Sequence, residues 1–280
     1  MGEEAAAATV TAAAAAAASG GAPHLLLICF PGQGHVNPML RLAKRIAAKG
    51  LVVTFSSTSA IGAKLVESSG VSVGGDGVPL GGGRIRFEFL EDGFDGSDLD
   101  ELMRHLGTAG PAAFAELLAR QEAAGRPVAC VVGNPFIPWA VDVAAAAGIL
   151  SAVLWVQSLT EAIQQQIRTI DKATWVFVNS FTELERDVVD ALRGVATSPP
   201  QPKLIPVGPL IELEGDAAVR GDMIRAADDC VGWLDEHPPR SVVYASLGSV
   251  VVLSAGEVAE MAHGLASTGR PFLWVHLIVK

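Results

Sequence analysis

The sequence predicts an α/β protein built on a mostly parallel sheet, and three observations predict it. From His24 onward, short apolar runs of strand length alternate with helical patterns, the rhythm of βαβ units. Half of the residues are hydrophobic but only 6% are aromatic, so the core must come from Val, Leu and Ile strands packed on Ala-rich helices. The 280 residues suit one large α/β domain or two modest ones, since domains commonly run to about 100–200 residues.

Residues 1–23 are an alanine tract opened by Glu3 and Glu4, without the basic start or Leu-rich stretch of a secretory signal, and are expected to be a disordered tail. Leu25 to Phe30 reads as the first strand and Leu51 to Ser56 as the second. Between them, Asn37 is placed to cap a helix with Pro38 at its first position; the pattern runs through Met39, Leu42, Ile46 and Ala47 and stops at Gly50. Further strands are expected at Ile85 to Phe89, Val128 to Val132, Ala152 to Val156 and Trp175 to Asn179, with helices between them. Such a sheet is buried on both faces, and these elements define an N-terminal domain over residues 24–197.

Pro199, Pro200, Pro202, Pro206 and Pro209 break both periodicities and mark 198–219 as an interdomain linker. Residues 220–280 carry a helix ending near Trp233, a strand at Val242 to Ala245, a Leu247-Gly248-Ser249 turn, a helix opened by the capping box Ser254 and Glu257, and a last strand from Pro271 to Val275. Two strands and two helices fall short of a self-sufficient α/β domain. This second domain therefore reads as incomplete, with a sheet edge open to association.

The net charge of −10 argues against nucleic-acid or anionic-membrane surfaces, which need clustered Lys and Arg. Cys29, Cys130 and Cys230 form no C-x-x-C pair and fit free thiols in a reducing compartment better than disulfides or a zinc site. No apolar run approaches the roughly 20 residues that span a bilayer. The expectation is a soluble, cytoplasmic protein with no integral membrane segment.

The segment Pro31-Gly32-Gln33-Gly34-His35-Val36-Asn37-Pro38 joins the first strand to the first helix, where α/β sheets bind ligands beyond their strand ends. Gly32 and Gly34 allow a ligand or a facing loop to come close. A dinucleotide fingerprint is incomplete, because Asn37 stands at the third glycine and Phe55-Ser56-Ser57-Thr58 offers no ribose-binding acid. His35 can exchange a proton near neutral pH or serve as an ordinary loop histidine bonded to backbone. Gly248 and Ser249 can hold a phosphate or simply turn the chain. The absence of a G-x-S-x-G elbow, a Walker loop and an H-E-x-x-H helix takes the main support from the common hydrolase, NTPase and zinc-protease readings. The acidic run Glu91 to Glu101 lacks the order of a calcium loop and reads as a solvated loop.

Four strings occur in order: Phe30-Pro31-Gly32-Gln33-Gly34-His35-Val36-Asn37-Pro38, Trp175-Val176-Phe177-Val178-Asn179-Ser180-Phe181-Thr182-Glu183-Leu184-Glu185, Pro206-Val207-Gly208-Pro209-Leu210, and Ser241-Val242-Val243-Tyr244-Ala245-Ser246-Leu247-Gly248-Ser249. Together they resemble the plant family-1 UDP-glycosyltransferases. Phe87 to Asp98 and Gly133-Asn134-Pro135-Phe136-Ile137-Pro138-Trp139 resemble the branch that glucosylates carboxylic acids. The resemblance implies a GT-B architecture of two Rossmann-like domains, with the acceptor cleft in the first and UDP-glucose, the donor substrate, held mainly by the second. No separate cofactor or metal is implied. His35 matches the family's catalytic histidine. Gly34, Asn134, Pro135, Phe136 and Gln157 match acceptor-side positions, and Gly248 and Ser249 match positions near the donor phosphates.

Three departures from the family pattern bear on function. Asn134 stands where many members carry an aspartate that raises the basicity of the histidine. A carboxylic acid is already ionised at pH 7 and needs little base help, so the acceptor is expected to be a carboxylate and the product a glucose ester. Gln157-Ser158 runs directly into Leu159-Thr160-Glu161, an apparent internal deletion near residue 158 that widens the acceptor pocket. The pattern also stops after Trp274-Val275, before the family's donor box. By family, the expectation is an inverting UDP-glucose-dependent glucosyltransferase of small aromatic acids. The rival expectation is a non-catalytic paralogue that binds acceptors or associates with relatives.

Overall fold

The computed structural model describes residues 22–94, 99–156, 170, 172–184, 186, 203–211, 219, 230–247 and 253–275. The chain divides into two compact units, residues 1–223 and 224–280.

The first unit is organised around an eight-stranded sheet in the order β3-β4-β2-β1-β5-β6-β7-β8. Its strands are β1 (His24–Ile28), β2 (Val52–Ser56), β3 (Val78–Leu80), β4 (Gly83–Phe87), β5 (Cys130–Gly133), β6 (Leu150–Trp155), β7 (Trp175–Val178) and β8 (Lys203–Pro206). Helices α1 (Gln33–Ala48), α2 (Ser59–Ser69), α3 (Leu99–Ala123) and α4 (Trp139–Ala146) fill the crossovers. β1 pairs in parallel with β2 on one side and with β5 on the other, so Leu27 lies opposite both Phe55 and Val132. Leu26, Leu27 and Ile28 are all fully buried, as a parallel strand covered on both faces requires. Leu26 and Ile28 join Phe114, Leu117, Phe136, Ile137 and Ala140 in one core cluster beneath α3 and α4.

The predicted strands are present with ends shifted by a residue or two, while other features differ from expectation. α1 starts at Gln33, with Gly32 as an N-cap that makes no side-chain bond. Asn37 is therefore not the cap, and Pro38 sits inside the helix, where it forgoes a bond to the Gly34 carbonyl. The helix can begin early because the Gly32 carbonyl accepts from both His35 and Val36 at 2.8 Å.

β3 was not anticipated. It is a short antiparallel hairpin arm, with Val78 opposite Ile85 and Leu80 opposite Gly83, turned by Gly81 at φ 57°. Gly83 is required by close approach, since a Cβ there would lie 2.1 Å from the Leu51 carbonyl oxygen. β8 falls within the segment expected as a linker. Its residues Lys203–Pro206 pair in parallel with Trp175–Val178, and an edge strand tolerates the proline that closes it.

In the second unit, β9 (Val243–Ser246) and β10 (Phe272–Val275) pair in parallel, and α5 (Cys230–Asp235) and α6 (Ala255–Ser267) accompany them. α6 carries the expected capping box: Ser254 Oγ accepts from the Glu257 N–H at 3.4 Å, and the Ser254 N–H donates to Glu257 Oε2 at 2.8 Å. Among the described residues, no helix is long and apolar enough to cross a membrane.

Candidate functional site

The strand order fixes where a site can form. The crossover from β1 leads to β2 on one side of β1, and the crossover from β5 leads to β6 on the other. The connections therefore diverge between β1 and β5, and the crevice beyond their carboxyl ends is the topological switch point at which open α/β sheets bind ligands. The segment after β1 carries His35, and the segment after β5 carries Asn134.

Pro31 and Gly32 bend the chain from β1 into α1, with the Gly32 N–H donating to the Phe30 carbonyl at 2.9 Å. A Cβ at Gly32 would stand 3.3 Å from the His35 ring, so a small residue there lets the imidazole fold back over the crevice. His35 is 7% exposed. Its ring is flanked by Phe30 (centroids 5.5 Å, interplanar angle 86°) and Phe136 (4.5 Å, 54°).

Asn134, 1% exposed, places its Nδ2 3.2 Å from His35 Nδ1, and its Oδ1 accepts from the Phe136 N–H at 3.2 Å. Burial in this aromatic setting lowers the pKa of His35 from 6.5 to about 4, because the imidazolium loses solvation that nothing nearby replaces. His35 is neutral at pH 7. An uncharged imidazole between two rings, facing the mouth of a parallel-sheet crevice, can orient a polar group of a small aromatic ligand by hydrogen bonding.

Of the residues singled out in the sequence, His35, Asn134 and Phe136 meet around this ring. Pro135 is buried beside them, and Gly34 lies exposed on the first turn of α1. Gln157, Gly248 and Ser249 lie outside the described residues. Phe30, quoted in the sequence motif but given no role, proves to be part of the ring's packing.

Asp92 was expected in a solvated loop and is instead buried. Its Oδ1 accepts from the Ser59 N–H and Oγ at 3.3 and 3.2 Å, at the start of α2, and its carbonyl lies 2.6 Å from His105 Nε2. A polar cavity of about 430 Å³ shares no lining residue with the His35 site. Three of the charges lining it are grouped, with Arg86 3.1 Å and Arg126 3.6 Å from Glu88, while Arg86 Nε is buried without a hydrogen-bond partner among the described residues. Among the described residues, no group of three or more His, Cys, Asp and Glu side chains is placed to hold a metal ion.

No family model matches the chain. The chain is 37% identical over 311 residues to a gallate 1-beta-glucosyltransferase of Punica granatum, an alignment covering 90% of this chain and 58% of that protein. It is 35% identical over 310 residues to a cinnamate beta-D-glucosyltransferase of Fragaria ananassa, covering 90% of this chain and 54% of that one. The chain thus spans less than two thirds of the length of these curated relatives. Among solved structures it is similar to Os79 from O. sativa in complex with UDP, with a TM-score of 0.69 and 29% identity over 90% of this chain and 67% of that one. Os79 in complex with U2F and trichothecene gives a TM-score of 0.67 and 28% identity over 90% and 66% of the two chains. The switch-point crevice, the parallel sheet that forms it and the likeness along nine tenths of the chain agree: by sequence and by fold, this chain is similar to the plant UDP-glycosyltransferases and shares their GT-B fold.

Proposed function

We propose that this protein transfers glucose from UDP-glucose to the carboxyl group of small aromatic acids, giving a glucose ester with inversion at the anomeric carbon. The observation that carries the proposal is the partner of His35. The ring is held by the amide of Asn134, and burial keeps it neutral. Such a histidine is a poor base for a hydroxyl acceptor. A carboxylic acid, with an ordinary pKa of about 4, arrives ionised at pH 7 and brings its own nucleophile. The gallate and cinnamate relatives support the same acceptor class.

In this reading a carboxylate oxygen attacks the anomeric carbon in line, the bond from that carbon to the UDP oxygen breaks, and UDP leaves with the electron pair. No proton need be removed from the acceptor. His35, Gly34, Asn134, Pro135 and Phe136 line the acceptor side, in a domain formed by residues 24–197, and the family resemblance alone adds Gln157 to them. Gly248 and Ser249, which lie outside the described residues, are assigned to the donor phosphates by the family resemblance alone. We assign the protein to the cytoplasm, a placement supported by its three free cysteines. Exposed Tyr244 and Val275 on the β9–β10 sheet favour association through that sheet.

The test is to incubate the purified chain with UDP-glucose and a panel of benzoic and cinnamic acids and to follow glucose esters by mass spectrometry. Ester formation that disappears in a His35→Ala variant is expected. Ester made equally well by that variant would remove His35 from the reaction.

A further inference from the structure

The hydrogen bonds around Asn134 fix more than the position of His35. A backbone N–H can only donate, so the Asn134 oxygen must be the atom that faces the Phe136 N–H at 3.2 Å. That choice turns the amide nitrogen, which can only donate, toward His35 Nδ1 at 3.2 Å. Nδ1 must then present a lone pair. In a neutral imidazole one nitrogen carries the proton and the other does not, so the proton belongs on Nε2. Among the described residues, His35 is hydrogen-bonded through Nδ1, which leaves Nε2 to meet a ligand.

We propose that Asn134 is a positioning residue that locks His35 as the Nε2–H tautomer, so that His35 meets the acceptor as a hydrogen-bond donor and not as a base. This rests on the carboxylate-acceptor reading and sharpens it. A carboxylate accepts a hydrogen bond on one oxygen and keeps the other for attack, whereas a hydroxyl facing an N–H finds no lone pair to take its proton. The acceptor class is thereby set one residue away from the acceptor, by the direction of a side-chain amide. The aromatic flanks, Phe30 and Phe136, offer no acceptor for a proton on Nδ1.

The decisive experiment reads the proton directly and does not depend on turnover. Long-range proton–nitrogen correlation spectra of ¹⁵N-labelled chain distinguish a protonated from an unprotonated ring nitrogen, and the His35 signals are identified by their loss in His35→Gln. The wild-type ring is expected to be bare at Nδ1 and protonated at Nε2 at pH 7. In Asn134→Asp, a carboxylate that can only accept should invert the pattern. A wild-type ring protonated at Nδ1, or at both nitrogens, overturns the proposal, and this spectrum decides even if the variant does not fold. A second readout is selectivity: Asn134→Asp should raise the hydroxyl-to-carboxylate turnover ratio by about 100-fold, the lower end of general-base contributions. If no ester is formed by any form of the protein, the functional reading fails while the spectrum still decides the tautomer.

Discussion

At the scale of single residues, the burial of His35 ties function to stability. Its pKa is near 4 in the fold and near 6.5 when unfolded. Below pH 6.5 the unfolded chain takes up a proton that the folded chain refuses, so stability is whole above that value and is lost as pH falls toward 4. Between pH 7 and pH 5 the loss from this one group is about 2 kcal/mol. His24, buried against Thr54 and also lowered by burial, adds to it with the same sign. Urea unfolding at the two pH values should show a smaller drop for His35→Gln than for the wild type, and parallel drops would mean that the ring is solvated.

His35 and Asn134 could both be named from the sequence, one from its motif and one from a departure from the family pattern. Their 3.2 Å contact could not, since the two are brought together only by the pairing of β1 with β5. The burial of Asp92 is hidden from the sequence for a related reason. An acidic run averages to a solvated loop, and nothing local shows that one of its carboxylates is buried against Ser59 at the start of α2.

At the scale of elements, packing separates glycines that look alike in sequence. In α3, a Cβ at Gly107 would meet nothing within 4 Å, whereas one at Gly110 would lie 2.5 Å from the Trp139 ring of α4. Gly107→Ala should raise stability by about 0.5–1 kcal/mol, the helix-propensity gain. Gly110→Ala should lower it by about 1–3 kcal/mol, because the α3–α4 contact would have to open. Thermal unfolding of the pair checks both signs, and equal shifts would contradict the packing described.

The segment after β8 offers a second test. Arg45 Nη2 donates to the Pro209 carbonyl at 2.8 Å and Arg41 Nη1 to the Leu210 carbonyl at 3.0 Å, strapping this segment to α1. Arg45→Met should speed amide exchange at Val207, Gly208 and Leu210 while leaving β1 protected, and unchanged exchange would mean that the strap holds nothing. Apolar periodicity gave away β1, β2 and β4 to β7 because they are buried and regular. It hid β8, whose Pro206 signals a break and whose pairing comes from β7, and β3, which is three residues long within a glycine-rich stretch.

At the scale of the whole molecule, the sheet order leads to the acceptor chemistry. The divergence of crossovers at β1 and β5 makes a crevice, the crevice holds a neutral histidine, and a neutral histidine bonded to an amide suits an acceptor that is already an anion. The two-domain GT-B plan was legible because its motifs recur in order along the chain. The measurement that tests the central claim most directly is the turnover of a matched pair of acceptors, an aromatic acid and the alcohol in which its carboxyl group is replaced by a hydroxymethyl group, with UDP-glucose at pH 7. Glucosylation of the acid with little of the alcohol is the predicted result. Equal glucosylation of both, or of the alcohol in preference, would contradict the account.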